Sequence, residues 1–201
     1  LAWQPAQAAD MPDGIIIDDS GAVLPAVSGF NGKWEFSPGI LYGSPGFKAG
    51  GSFSAPLGDR FGLQGDGMLA YNGGGLTFGA GLHAFTRDPS RYLLGVTSAF
   101  VKTPGATIGA VGVEAELYLD NISLEGWAGW AGLNYVDPMI LDKTGVFAIG
   151  DIAYYATPDL RFSVGASYVL GDTALRLGTE YQFTGLGMPL SLTGEARFHS
   201  N

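Results

Sequence analysis

Thr107-Ile108-Gly109-Ala110-Val111-Gly112-Val113-Glu114-Ala115-Glu116-Leu117-Tyr118-Leu119 alternates residue by residue. Val111, Val113, Ala115, Leu117 and Leu119 share one side; Gly112, Glu114, Glu116 and Tyr118 share the other. A period of two is the side-chain period of a strand, and a helix gathers neither set into one stripe. Working outward, Phe61–Tyr71 repeats the pattern, with Phe61, Leu63, Leu69 and Tyr71 set against Gln64, Asp66 and Met68. Thr173–Thr184 does so again, with Leu175, Leu177, Tyr181 and Phe183 against Arg176, Glu180 and Gln182.

Between such segments lie short clusters of turn residues, among them Gly43-Ser44-Pro45-Gly46, Asn72 to Gly75, Asp120-Asn121 and Gly171-Asp172. Ten such connections from Phe30 onward imply eleven strands, an all-β antiparallel up-and-down sheet. Alternation does not say which side is interior, because a soluble barrel points its apolar face in and a membrane barrel points it out. Aromatic residues bracket the apolar face: Phe61 and Tyr71, Tyr92 and Phe100, Phe162 and Tyr168. The ten residue steps from Phe61 to Tyr71, at about 3.3 Å each and tilted by roughly 40–45°, span about 25 Å, the height of a lipid-facing band between two aromatic girdles. Gly and Ala between them are too small to fill a soluble barrel of this strand number. The expectation is therefore a transmembrane β-barrel. Single-chain bacterial barrels have even strand numbers, so twelve strands are expected when complete, with eleven in this chain and a closing strand still to come.

The composition agrees. Charged residues make up 14% of 201 residues, against about 25% in soluble domains. Glycine accounts for 33 positions, without the strict three-residue period of collagen. The absence of cysteine excludes disulfide scaffolds and thiolate zinc sites. A net charge of −9 is a poor match for nucleic acid, which needs a basic face. The longest uncharged stretch, Gly67 to Thr86, is broken by Asn72-Gly73-Gly74-Gly75 and is not a membrane helix.

Residues 1–8 end in Ala6-Gln7-Ala8, the small-x-small pattern of a signal-peptide remnant, which implies export to the periplasm. Residues 9–29 read as a periplasmic tether, and residues 30–201 as the barrel. Tracing the strands up and down puts the turns at 58–60, 88–90, 120–121, 157–159 and 185–188 in the periplasm. The longest connection, Asn134 to Thr144, is then extracellular.

Asn31-Gly32-Lys33, the run Pro56 to Gln64, Arg87-Asp88-Pro89, the strand Gly112 to Leu119 and Leu175 to Tyr181 resemble a family of uncharacterised Gram-negative outer-membrane β-barrels, loosely porin-like. The resemblance covers residues 30–201. It implies the cell outer membrane as location, outer-membrane lipid as partner and a last strand ending in an aromatic residue. It brings no substrate and no catalytic residue.

The inward positions carry the chemistry: Asp66, His83, Glu114, Glu116, Glu125, Arg161, Arg176, Glu180, Glu195 and Arg197. The Asp120-Asn121 hairpin sets Glu116 opposite Glu125, with Glu114 along the same face and no base in the adjacent inward positions. Like charges placed so destabilise unless a cation or a proton reaches them. With the arginines on later strands, the expectation is an acidic arc facing a basic one around a narrow, weakly cation-preferring channel for small solutes or ions. The alternative is a non-conducting structural barrel with a salt-bridged interior. A remoter alternative is a lipid-modifying barrel hydrolase, suggested by His199-Ser200-Asn201. Neighbouring strand residues point to opposite faces, so His199 and Ser200 form no dyad. His83 is placed opposite Gln64, about 9–10 Å from Ser52 and Ser54. No enzyme activity, metal or cofactor is expected.

Overall fold

β-branched and aromatic residues at alternate positions favour a pleated surface, and the turn clusters between them stop each run. The computed structural model describes residues 25–41, 43–183 and 190–200. It contains β1 (Asn31–Leu41), β2 (Ser44–Leu57), β3 (Phe61–Tyr71), β4 (Leu76–Asp88), β5 (Tyr92–Lys102) and β6 (Ala106–Leu119). The chain continues through β7 (Ile122–Tyr135), β8 (Lys143–Thr157), β9 (Leu160–Val169), β10 (Asp172–Phe183) and β11 (Leu190–His199). Each pairs antiparallel with the next, in sequence order, in one eleven-stranded sheet. The sheet curls through about 300° and brings its edges, β1 and β11, to 8 Å apart.

The turns fall close to where the residues put them. Phe61–Tyr71 is a strand with the expected bounds, and Asp120 takes the left-handed conformation (φ 46°) between β6 and β7. The β9–β10 turn sits one residue earlier than expected. Leu170 and Gly171 occupy it with φ 54° and 98°, the paired positive angles of a tight hairpin. The β7–β8 connection spans 136–142, and a bulge interrupts the β8–β9 ladder between Tyr155 and Thr157. The signal-remnant reading and most of the tether lie outside the described residues.

Sidedness is the main result of the fold. Val111 and Val113 are each 60% exposed on the outer face, where Leu82, Val96, Trp130, Ile152, Leu175 and Leu192 are exposed as well. The inner face buries Ser54, Gln64, His83, Thr97, Ser123 and Asp151. Among the described residues no helix is long and apolar enough to cross a membrane, which has no bearing on crossing by strands.

Candidate functional site

The interior is filled in layers. Near the end of the curled sheet formed by the β7–β8 and β9–β10 connections, Trp127 and Phe147 pack edge to face with ring centroids 4.6 Å apart. Ala131 is buried with them, and Ala99, Ala110, Ile149, Val169 and Leu170 pack around the cluster. The Phe147 position lies in register with Gly129 and, one strand on, Gly112. A Cβ on Gly112 would come within 2.9 Å of the Phe147 ring, so the bare backbone is what admits the aromatic.

The charged layer lies next along the strands. Glu116, Glu125, Asp151, Gly165, Arg176 and Arg197 are successive partners across six strands, from β6 to β11. Glu116 does face Glu125, as the hairpin requires, but the acidic arc is not bare. Arg161 Nη2 donates to Glu125 Oε1 at 3.2 Å, and Tyr118 donates its hydroxyl to Glu116 at 2.6 Å. Arg176 donates to both carboxylate oxygens of Asp151. Arg197 pairs with Glu195 at 2.6 Å. Arg87 lies over the Tyr118 ring, 5.5 Å from its centroid. The expectation of an unopposed negative wall is therefore corrected. Arginine reaches past the neighbouring strand to the one beyond, and adjacent positions alone do not reveal its partner.

His83 is 4% exposed and joins two carboxylates. Its Nε2 lies 2.7 Å from Asp66 Oδ2 and its Nδ1 lies 2.6 Å from Glu114 Oε2. The Nδ1 contact with Glu114 has hydrogen-bond geometry, and the Nε2 contact with Asp66 is a close ion pair. The chain of contacts continues outward: Gln64 donates to Asp66 Oδ1 at 3.0 Å, and Ser54 donates to Gln64 Oε1 at 2.9 Å. Gln64 stands opposite His83 as expected, and the Ser54 hydroxyl binds Gln64, not the imidazole. Glu180 faces Arg161 across the β9–β10 pair and lies within electrostatic reach of Lys33 on β1. A small hollow between Glu114, Glu116, Glu125, Trp127 and Asp151 has about 20 Å³, space for about one water.

Of the aromatic residues expected at the girdles, Phe61, Tyr71, Phe100, Phe162 and Tyr168 are exposed on the outer face, and Tyr92 is half-buried there.

At the chain end, His199 lies 3.3 Å from Asp172, while the Ser200 hydroxyl engages the side chain and carbonyl of Thr173. His199 and Ser200 do not meet there. Among the described residues no cluster is arranged to hold a metal ion.

No known protein family, curated protein or solved structure matches the chain.

Inward residues the sequence reading passed over include Asp151, Arg87, Trp127 and Phe147. All sit on inward positions of their strands, so period-two bookkeeping carried through every segment would have found them.

Proposed function

We propose that this chain forms an outer-membrane β-barrel, twelve-stranded when closed, with an interior sealed by ion pairs and packed aromatics: a structural barrel and not an open pore. The observation that carries the reading is the combination of an exposed apolar outer face with buried ion pairs inside. Water on that outer face would be unfavourable over far more area than a soluble monomer normally exposes. Lipid reverses the sign, and the buried carboxylates then need the partners they have.

The strand number is supported by the curl. Ten steps share about 300°, or about 30° each, and the remaining 60° or so equals two more steps, which one added strand makes. The gap agrees: 8 Å is too wide for directly paired strands at about 4.8 Å and near the roughly 9.6 Å that flanks a single inserted one. β1 and β11 also run the same way, so a strand antiparallel to both continues the pattern.

Planar-bilayer recording tests the reading. Protein folded in lipid and showing heat-modifiable migration is expected to leave the bilayer silent. Defined conductance steps with cation preference would replace the sealed barrel by the narrow channel. Failure to enter lipid, with folding in plain buffer, would overturn both.

A further inference from the structure

Residues 25–29 precede the sheet, yet Ala26 is fully buried and Val27 is 2% exposed. The Ala26 amide donates to the Asp59 carbonyl at 3.0 Å, in the β2–β3 turn. Val27 clusters with Phe85 on β4 and Leu93 on β5. Both are inward positions at the end of the barrel bounded by the 58–60 and 89–91 turns, and among the described residues these three make up the buried cluster. The seat is shaped by Gly62 on β3. A Cβ there would lie 2.6 Å from Val27 Cγ2 and 2.5 Å from the tip of the Phe85 ring. Two further contrasts matter. The inner wall is otherwise largely polar or small at neighbouring strands, so Phe85 and Leu93 would face water without an apolar guest. A valine lying against one wall of a wet lumen would also keep an exposed side, and Val27 keeps almost none.

We propose that residues 25–29 are a built-in stopper, seated in the recess of Gly62, Phe85 and Leu93, which seals this mouth of the barrel against water. The segment is held by local contacts and not by a strand ladder, so it can leave while the sheet stays intact. The inference rests on the barrel reading above and adds the seal of one mouth to it.

The chain has no cysteine, so Val27→Cys gives a unique thiol. Its reaction with a water-soluble maleimide is compared, in lipid-folded protein, with Arg91→Cys, an exposed position at the same mouth. The stopper predicts labelling at least about tenfold slower at 27, and a rise to within about twofold of the control when Gly62→Leu fills the seat. Fast labelling at 27 in the parent background overturns the proposal, and so does slow labelling that Gly62→Leu leaves unchanged. If Gly62→Leu does not fold, hydrogen exchange of the Ala26 amide in the unaltered chain decides. Protection above about 100-fold supports the seal, and exchange at open-peptide rates overturns it. The two readings fail separately. Conductance steps with a slow thiol reject the sealed barrel alone, and a silent bilayer with a fast thiol rejects the stopper alone.

Discussion

Replacing His83 by leucine removes the one base between two buried carboxylates. Asp66 and Glu114 lie 2.7 and 2.6 Å from the two ring nitrogens, so with the ring's own width they stand about 7 Å apart. Two negative charges at about 7 Å repel by about 2 kcal/mol at an effective dielectric of about 20. A hydrogen bond to the Glu114 carboxylate, worth roughly 1.5–3 kcal/mol, and the close ion contact with Asp66 are lost as well, offset in part by a side chain that is easier to bury. The net expectation is a loss of about 3–5 kcal/mol, the range for breaking a buried pair from one side. Urea unfolding in lipid vesicles, followed by the fluorescence of the four tryptophans, measures it. Removing the charges together, as Asp66→Asn, His83→Leu and Glu114→Gln, should cost less than His83→Leu alone, because no uncompensated carboxylate remains. A loss below about 1 kcal/mol for His83→Leu, or a triple variant weaker than the single, would refute the bridge.

Val113→Arg places a charge on the outer face at mid-strand and should destabilise lipid-folded protein by about 2–4 kcal/mol; a neutral result in vesicle unfolding would count against lipid contact there. Gly165→Leu should cost about 3 kcal/mol, since its Cβ would run into the Asp151 carboxylate that Arg176 holds. Gly150→Leu, where a Cβ meets nothing closer than 3.7 Å, should cost under about 1 kcal/mol by the same urea assay. Trp127→Ala should lose about 3–5 kcal/mol by opening a cavity against Phe147, and tryptophan fluorescence should lose a water-shielded component.

The strands were legible because one physical rule repeats: a sheet with apolar residues on one face and polar residues on the other forces a period of two. Phe61–Tyr71 and the Glu116–Glu125 register followed from that rule and from one hairpin. The stopper was not legible, because Ala26-Val27 has no periodicity, and its seat is assembled from residues on three strands. The occupancy of the interior was read only in part. Glu114, Glu116 and Glu125 were recognised as an unstable group, but the bases that meet Glu114 and Glu125 lie 31 and 36 residues away along the chain, each beyond the adjacent strand.

That last failure has a structural rule behind it. Three ion pairs in the interior skip a strand, and each crosses a small residue. His83 on β4 reaches Glu114 on β6 past Gly95, where a Cβ would meet Glu114 Oε1 at 2.5 Å. Arg176 on β10 reaches Asp151 on β8 past Gly165. Arg161 on β9 reaches Glu125 on β7 with Ala153 on the diagonal between them. Strands lie about 4.8 Å apart, so the next-but-one strand is about 9.6 Å away. A long side chain covers that distance only where the intervening position leaves the inner surface clear. Inward Gly and Ala are therefore part of the electrostatics: they decide which base meets which acid. A sequence reader who pairs charges across one small inward residue, and not only across adjacent positions, would have found all three bridges and predicted a neutralised interior instead of an acidic arc.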